Sequence, residues 1–476
     1  MEQRIHVHVP FVNVIHFGEF IVASVDFTGI YLAAADDFVW GLGGVYDEAV
    51  DVTFSGIMAI DAPSALAVAA VSLFDATVDV TGIILSTADA GAMVDLPLPV
   101  AEGEAPLSGP VDELIAAGSL LGDARITFDG IVQSEIAGGG AIGAFSGMGD
   151  ALVETGGIVS SANGFAIRTQ AGLGVATTQT VGLVLAGAGE CAVMNEGGVD
   201  GLVTNLGLIH AYGSDMAGIL ATARIDFTFS GNRQPALAGS SAEVVNHGTV
   251  LASGDGVRVE VQGDASVTNA GTISGGTAGI RVIDMDGSDG SGLAEIVSSG
   301  TILSQGTAIS VEGDFARAEI TLSGQVLSGT GTAIHTGTSD DVISVQNGAC
   351  VIGDIATGDG DDIVLFENAV TFCGVVSTAG GDDEVHLGAA GGTVIGGDGN
   401  DLLFAGSGID HFVFSFAEMG TDHIYGFDPT VDRLVFDTTQ FSSVVVGDDL
   451  LITLGATEIV LHDTTTLAAD TLLLVG

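Results

Sequence analysis

The chain has 476 residues, with 61 acidic residues against nine basic ones, all Arg, and its formal net charge is −52. This charge would repel phosphate, which argues against nucleic acids and anionic membranes as partners, and no apolar run is long enough for membrane insertion. The 73 Gly, eight Pro and 47% apolar residues suit tightly turned β structure rather than a disordered chain.

Residues 1–24 are apolar and strand-like, and we expect them to form an N-terminal strand or cap. The alternation in Ile5-His6-Val7-His8-Val9 is typical of an amphipathic strand. Residues 1–10 contain no apolar h-region and no cleavage signal. If the protein is secreted, it therefore needs an export route that does not use an N-terminal signal peptide.

Residues 25–330 contain a loose repeat of the form apolar-x-apolar-x-Gly-x-apolar. Its first two glycines are Gly29 and Gly56, 27 residues apart, and most later steps are similar. A second strand in each repeat is marked by Gly-x-Ala-Ile or a close variant, as at Ile280, Ile309 and Ile334. One such repeat cannot bury its apolar face alone, so the repeats are expected to stack as the rungs of a parallel β-helix.

Two other features interrupt or decorate these rungs. Residues 96–110 hold four of the eight Pro, which indicates a loop or an insertion, and residues 111–121 could form a short helix. Asn205, Asn246 and Asn269 each lie two residues before a rung glycine. Asn tolerates tight turns and hydrogen-bonds locally, so these side chains are expected to form a ladder rather than bind a ligand.

The three cysteines are Cys191, Cys350 and Cys373. An odd and sparse count favours reduced thiols in the core. Cys350 and Cys373 lie about one rung apart but two positions out of register, so a disulfide between them is possible without being required.

Residues 396–404 form a complete nonapeptide, Gly-Gly-Asp-Gly-Asn-Asp-Leu-Leu-Phe, which fits the pattern G-G-x-G-x-D-x-U-x with U apolar. Such a unit is a calcium-binding turn followed by a short strand. Calcium takes roughly 6–8 oxygen ligands at about 2.3–2.6 Å. Glycines let the backbone carbonyls face one point, the Asp supplies charge, and the apolar residue anchors the turn to a core.

The motif repeats in register. Asp341, Asp362, Asp383 and Asp401 are separated by 21, 21 and 18 residues, and Asp410 follows nine residues after Asp401. Eighteen residues are two nonapeptides, which is one full turn of a β-roll. The first four Asp should therefore stack in one column on one edge of the roll, with Asp410 on the other edge. Carboxylates stacked at such distances repel each other, and a cation between them removes that repulsion.

The predicted calcium-binding residues are these Asp and their turn neighbours. They are Asp340, Asp341, Gly358, Asp359, Gly360, Asp361, Asp362, Asp382, Asp383, Gly396, Gly397, Asp398, Gly399, Asn400, Asp401 and Asp410.

The repeats resemble those of the repeats-in-toxin (RTX) family, whose members carry hemolysin-type calcium-binding repeats. Residues 420–434 are similar to the segment that closes an RTX roll, and residues 468–476 resemble the uncleaved C-terminal signal of type I secretion. The resemblance covers about residues 335–476. It implies calcium as the bound ion and a secreted protein, at the cell surface or outside the cell.

The sequence therefore predicts an all-β fold, a parallel β-helix solenoid that continues into a calcium-binding β-roll. The predicted regions are an N-terminal strand or cap (1–24), a β-helix (25–330), an RTX roll (331–414), and a C-terminal cap with the secretion signal (415–476).

No grouping of His, Arg and Asp indicates catalysis, so no catalytic residue is predicted and we expect no enzyme. A stiff secreted rod favours a structural protein that associates with itself through solenoid ends or edges, as in a surface layer, filament or matrix. The alternatives are a polysaccharide-modifying β-helix enzyme (lyase, hydrolase or epimerase) and an adhesin that binds a surface glycan.

Overall fold

The computed structural model confirms the all-β class. The residues that it describes are 4–12, 24–33, 49–60, 67–87, 92–95, 108–111, 113–136, 139–223, 240–285, 291–467 and 471–474. These residues form strands and turns and contain no helix. They accordingly include no helix of the length and apolarity needed to cross a membrane.

The chain divides into two compact units, Met1–Gln262 and Gly263–Gly476, here called the N-terminal and C-terminal units. The region boundaries predicted at residues 24, 330 and 414 stay predictions. Parts of several predicted segments lie outside the described residues, namely 13–23 of the N-terminal cap, 96–107 of the Pro-rich insertion, and 468–470 and 475–476 of the secretion signal.

The N-terminal unit is built from mostly short strands. They are β1 (Arg4–Val12), β2 (Ser24–Ala33), β3 (Val50–Ile60), β4 (Val68–Ser72), β5 (Ala76–Ser86), β6 (Ala92–Asp95), β7 (Ser108–Val111), β8 (Glu113–Ser119), β9 (Ala124–Ser134), β10 (Gly140–Ser146), β11 (Ala151–Thr155), β12 (Ile158–Ser161), β13 (Ile167–Ala171), β14 (Ala176–Thr180), β15 (Leu183–Ala186), β16 (Cys191–Gly197), β17 (Asp200–Asn205), β18 (Leu208–Ala211), β19 (Ala217–Ala223), β20 (Ser241–Asn246), β21 (Thr249–Ala252) and β22 (Val257–Val261).

These strands stack in parallel ladders, which confirms the predicted β-helix. One ladder runs through β4, β8, β10, β13, β16, β19 and β22. Another runs through β1, β2, β3, β5 and β9. After β9 it divides into β11–β14–β17–β20 and β12–β15–β18–β21.

The rung glycines form the bend between these two branches. Gly29, Gly56, Gly82 and Gly130 pair in register on successive rungs, with φ between 146° and 156°. A Cβ on Gly56 would lie 1.8 Å from the carbonyl oxygen of Gly29. The repeat therefore requires Gly, because no side chain fits between the stacked turns.

Side chains alternate between core and solvent along the strands, and the core carries a polar ladder. On β5, Val78, Val80 and Ile84 are buried while the residues between them face outward. Asn205 is fully buried, and its Nδ2 donates to Oδ1 of Asn246 at 2.8 Å. The predicted Asn ladder is confirmed for this pair.

The short helix considered for residues 111–121 is wrong. Residues Glu113–Ser119 form β8, which pairs in parallel with β4 on one side and β10 on the other. Backbone hydrogen bonds to two neighbouring rungs outweigh the local helical preference of this Ala-containing segment.

The C-terminal unit contains the remaining strands. They are β23 (Asp264–Asn269), β24 (Thr272–Gly275), β25 (Ala278–Asp284), β26 (Leu293–Ser298), β27 (Thr301–Ser304), β28 (Thr307–Glu312), β29 (Arg317–Leu322), β30 (Gln325–His335), β31 (Val342–Val345), β32 (Cys350–Ala356), β33 (Ile363–Phe366), β34 (Thr371–Cys373), β35 (Val375–Ser377), β36 (Glu384–His386), β37 (Gly392–Ile395), β38 (Leu402–Phe404), β39 (Asp410–Phe414), β40 (Met419–Tyr425), β41 (Arg433–Phe436), β42 (Phe441–Val446), β43 (Asp449–Leu454), β44 (Ala456–Leu461) and β45 (Leu472–Leu474).

This unit changes from three strands per rung to two. The first ladder runs from β23 through β26, β29, β31, β33, β36 and β38 to β40. The second, from β24 through β27, β30 and β32, ends at β34 among the described strands. The third starts at β25 and β28 and continues through the ends of β30 and β32 into β35, β37, β39, β41 and β45. Loss of one side accounts for the rungs of 18 residues.

The last strands leave this parallel arrangement. β44 pairs in parallel with β40, but β43 pairs antiparallel with β44, and β42 pairs antiparallel with β43. A small antiparallel extension therefore follows the roll.

All three cysteines are free thiols, and Cys191 is buried as predicted. Ile352, two residues after Cys350, is the strand partner of Cys373, which confirms the predicted offset. The core location is wrong for Cys373, which is exposed because its side chain lies on the outward face of β34.

Candidate metal centre

Asp341, Asp362, Asp383 and Asp401 form one column at one edge of the roll. Each directly precedes a strand of the first ladder, and each is at most 1% exposed. Because the strands stack in register, the four residues lie directly above one another. We call these four residues the Asp column.

Backbone hydrogen bonds tie each rung of the column to the next. The N–H of Asp341 donates to Oδ1 of Asp362 at 2.8 Å, and that of Asp362 donates to Oδ1 of Asp383 at 2.8 Å. The N–H of Asp383 donates to Oδ1 of Asp401 at 3.1 Å. At the first rung, Oδ1 of Asp341 accepts from the N–H of Ala318 at 2.7 Å. One oxygen of every column carboxyl group is therefore engaged and fixed in position.

The second oxygen, Oδ2, has no hydrogen-bond partner in any of the four Asp, although it is buried. Nearby hydroxyl groups do not fill this role. Thr336 donates its hydroxyl proton to the carbonyl of Thr357, and Thr378 donates to the carbonyl of Gly396, both at 2.9 Å. A buried polar atom without a partner is costly, so four in one line indicate a missing ligand.

The electrostatics of the column agree with this geometry. Burial, with a further contribution from the negative charge of neighbouring Asp, raises the pKa of Asp362 to about 7 and that of Asp383 to about 8. Burial also raises the pKa of Asp401 to about 6 and raises that of Asp341. In this fold the carboxylates resist ionisation unless a positive charge is supplied.

Space for a ligand next to Asp401 depends on a residue without a side chain. A Cβ on Gly396 would lie 2.0 Å from Oδ2 of Asp401. A Cβ on Gly397 would lie 1.8 Å from the carbonyl oxygen of Ala379. Four of the predicted turn glycines have left-handed backbone angles, namely Gly358 (φ 98°), Gly360 (φ 132°), Gly397 (φ 104°) and Gly399 (φ 138°).

The predicted residues that precede each column Asp form a separate, exposed ladder. The N–H of Asp361 donates to Oδ1 of Asp340 at 2.9 Å, that of Asp382 to Oδ1 of Asp361 at 2.8 Å, and that of Asn400 to Oδ1 of Asp382 at 2.8 Å. These side chains satisfy backbone donors at the surface. Their metal role stays a prediction.

The remaining turn carboxylates lie on the rim of the same edge. Asp359 and Asp398 form isolated β-bridges with Gly380, so they stack with it. Both are exposed, and Oδ1 of Asp398 accepts from the N–H of Met419 at 2.9 Å. Their contribution to a cation site also stays a prediction.

Asp410 lies on the opposite edge of the roll, where the spacing placed it. Its Oδ1 accepts from the N–H of Gly392 at 3.0 Å and its Oδ2 from the N–H of Gly406 at 2.8 Å. Asp432, one rung further, likewise accepts from the N–H of Asp410 and of Asp428. Both oxygens of both residues are satisfied by the backbone, so this edge leaves no such ligand atom.

Sequence reasoning missed a fifth carboxylate below the Asp column. The N–H of Asp401 donates to Oδ1 of Asp422 at 3.1 Å, and Asp422 is 1% exposed. The signal was present, because Asp422 follows Asp401 by 21 residues, the same step that separates the earlier column members. It lacks the preceding glycine motif and was assigned to the closing segment instead.

The Asp column fits calcium. Its free oxygens are anionic and hard, which is the donor type that calcium prefers. Among the described residues, no group of three or more His, Cys, Asp or Glu side chains is arranged to hold a metal. A cation in the column would therefore be held by carboxylates of successive rungs and by backbone carbonyls of the glycine turns, as in the predicted motif.

The chain matches no protein-family model and no curated protein. Among solved structures, it is similar to the extracellular lipase LipA from Serratia marcescens, with 14% sequence identity and a TM-score of 0.23. The similarity covers 56% of this chain and 45% of the lipase chain. The chain thus covers less than half of that lipase, and a likeness at this TM-score carries no argument about activity.

Proposed function

We propose that the protein binds calcium in the Asp column and that calcium locks the roll. The observation that carries this proposal is the set of four buried Oδ2 atoms without hydrogen-bond partners. A bound calcium ion supplies the positive charge that stacked carboxylates need. The protein itself fixes each carboxyl group through its Oδ1 and leaves the other oxygen available.

Calcium binding should be coupled to folding of residues 335–415. Without a cation, ionised carboxylates in a dry column repel each other, so the roll is disfavoured at neutral pH. Binding to the folded state alone then contributes folding free energy. A calcium titration followed by circular dichroism should show a cooperative gain of β signal. An unchanged spectrum between chelator and millimolar calcium would contradict the proposal.

The biological role that we propose is structural. The RTX-like repeats and the C-terminal signal support secretion by a type I system, and calcium outside the cell would then complete the fold. The net charge of −52 suits a chain that stays open until cations are available. In this proposal the protein acts at or outside the cell surface, in a layer, filament or matrix.

Self-association is the part of this role that is simplest to test. Light scattering after size-exclusion chromatography, and electron microscopy, should show assemblies in calcium that disappear in chelator. A strictly monomeric species in excess calcium would remove the structural role while leaving the calcium site intact.

We also propose that the protein is not an enzyme. The nine Arg are spread from Arg4 to Arg433, and a uronate-active site would need clustered cations and a base. Incubation with a panel of acidic and neutral polysaccharides should give no cleavage or epimerisation. Turnover of any of them would overturn this proposal, and binding without turnover would identify the glycan of an adhesin.

A further inference from the structure

The last strand of the antiparallel extension, β42, has an open edge. β42 pairs with β43 in register from Phe441–Leu454 to Val446–Asp449. Among the residues that the structure describes, no second strand pairs with β42. One row of its N–H and C=O groups therefore has no ladder partner, and such an edge is a template for another strand.

The side chains of β42 are exposed on both faces of this extension. Val444, Val445 and Val446 are 55%, 50% and 57% exposed, and successive residues of a strand point to opposite faces. On the neighbouring strand, Leu450 and Ile452 are buried. The core of the extension thus ends at β43, and β42 projects beyond it as an apolar rim.

β42 lacks the features with which soluble proteins protect an edge strand. It contains no charged residue and no Pro, and its pairing with β43 shows no bulge. Six residues give it enough length for a stable ladder. A monomer with such an edge is prone to strand addition.

A second uncharged strand end lies beside β42. Leu473 and Leu474 on β45 are 42% and 52% exposed, and Leu474 pairs with Phe436. The Phe436 ring packs edge-to-face against Phe441 at the start of β42, with centroids 5.4 Å apart. The exposed apolar surface therefore continues from β42 onto β45.

Charge indicates which partner fits. The chain has 61 acidic residues among 476, about one in eight, so two copies repel each other over most of their surface. β42 has none in six residues, and a neutral edge is where two copies can approach. A cationic partner would gain nothing there, because its charges would find their partners elsewhere on the molecule.

We propose that two copies of this chain associate by antiparallel pairing of β42 with β42. A two-fold axis places the same strand on both sides, so the interface is self-complementary and closed. Backbone hydrogen bonds supply the ladder, and the three valines supply apolar contact. This inference rests on the proposed self-association and names its surface.

The test is a pair of matched variants studied in calcium. Val444→Glu with Val446→Glu places charges on one face of β42, so like charges face each other across the two-fold axis. We expect the concentration for half-assembly to rise by about tenfold or more. Val181→Glu is the control, since Val181 is 54% exposed and lies far along the chain, in the N-terminal unit. It should assemble like the wild type, and circular dichroism should show all forms folded.

Hydrogen exchange gives a second measurement that needs no variant. Amides of β42 should become protected when the protein is concentrated from the monomeric to the assembled range, while amides of β44 stay unchanged. Assembly that is insensitive to the two Glu, with unprotected β42 amides, overturns the assignment to β42 alone. A wild type that stays monomeric in calcium overturns both this inference and the proposed structural role.

Discussion

The two edges of the roll carry the same residue type in the same repeat, yet they differ in what their carboxylates do. On one edge, the Asp column uses Oδ1 for backbone hydrogen bonds and leaves Oδ2 buried without a partner. On the other edge, Asp410 and Asp432 use both oxygens to accept from backbone N–H groups. One edge is therefore prepared for a cation, and the other is closed by the protein itself.

The difference shows that an Asp in a repeat is not a ligand by spacing alone. What matters is how many backbone donors the turn directs at the carboxyl group. At Asp410, the turn brings the N–H of Gly406 to Oδ2. At Asp401, the corresponding space next to Oδ2 faces Gly396 Cα and is kept open by the absence of a side chain.

Exchanging one carboxylate on each edge should give the largest separation. Asp383→Asn keeps an acceptor for the N–H of Asp362 but removes the anionic free oxygen, so we expect calcium affinity to fall by about tenfold or more. Asp410→Asn directs an amide donor at a backbone N–H, and should cost about 1–3 kcal/mol of unfolding free energy with calcium affinity of the folded roll unchanged. Calorimetric calcium titration and urea unfolding measure the two effects.

Asp354→Asn is the matched control for both variants. Asp354 is exposed, and its Oδ1 accepts from the N–H of Val375 at 2.8 Å, but it lies outside the column. It should leave calcium affinity and stability nearly unchanged. An equal loss of calcium affinity in Asp383→Asn and Asp410→Asn would show that both edges bind the ion, against the comparison drawn here.

The pH dependence should have opposite signs with and without calcium. Without it, the pKa values of Asp362, Asp383 and Asp401, about 7, 8 and 6, lie above the value of about 3.9 for an unfolded Asp. Their contribution to folding is then fully present below about pH 4 and is lost as the pH rises from 6 to 8. With calcium, which competes with these protons, affinity should rise by about tenfold per pH unit for each proton displaced.

Unfolding midpoints at pH 5 and pH 8.5, each in chelator and in calcium, measure this reversal. In chelator the roll should be more stable at pH 5, and in calcium it should be more stable at pH 8.5. The same direction in both conditions would separate calcium binding from the column carboxylates.

A smaller effect is expected where the turn of the Asp column is imperfect. Ala379 occupies the position that Gly358 and Gly397 occupy on neighbouring rungs, and it has a left-handed φ of 63°. A left-handed L-residue costs about 1–2 kcal/mol, partly offset by the greater chain entropy of Gly. Ala379→Gly should therefore raise the unfolding free energy in calcium by about 0.5–1 kcal/mol. A loss of stability in urea unfolding would mean that the Ala379 methyl group makes contacts that outweigh the strain.

Much of the fold could be predicted because a solenoid converts distance along the sequence into position in space. Equal steps between Gly29, Gly56 and Gly82 place them in register, and steps of 21, 21 and 18 do the same for the Asp column. Residues 111–121 failed as a prediction because their strand pairing comes from rungs that are distant in sequence. Asp422 was missed because its rung keeps the spacing but loses the glycine motif.

The sequence by itself thus determined the all-β class, the stacking period and which Asp share an edge, since all three follow from periodicity. Only the tertiary structure decided which carboxylate oxygens stay without a donor and which strand edge stays open. Donors to Asp383 and Asp410 come from other rungs and turns, and the open edge of β42 depends on where the core ends. These properties depend on nonlocal backbone geometry, which the repeat pattern does not encode.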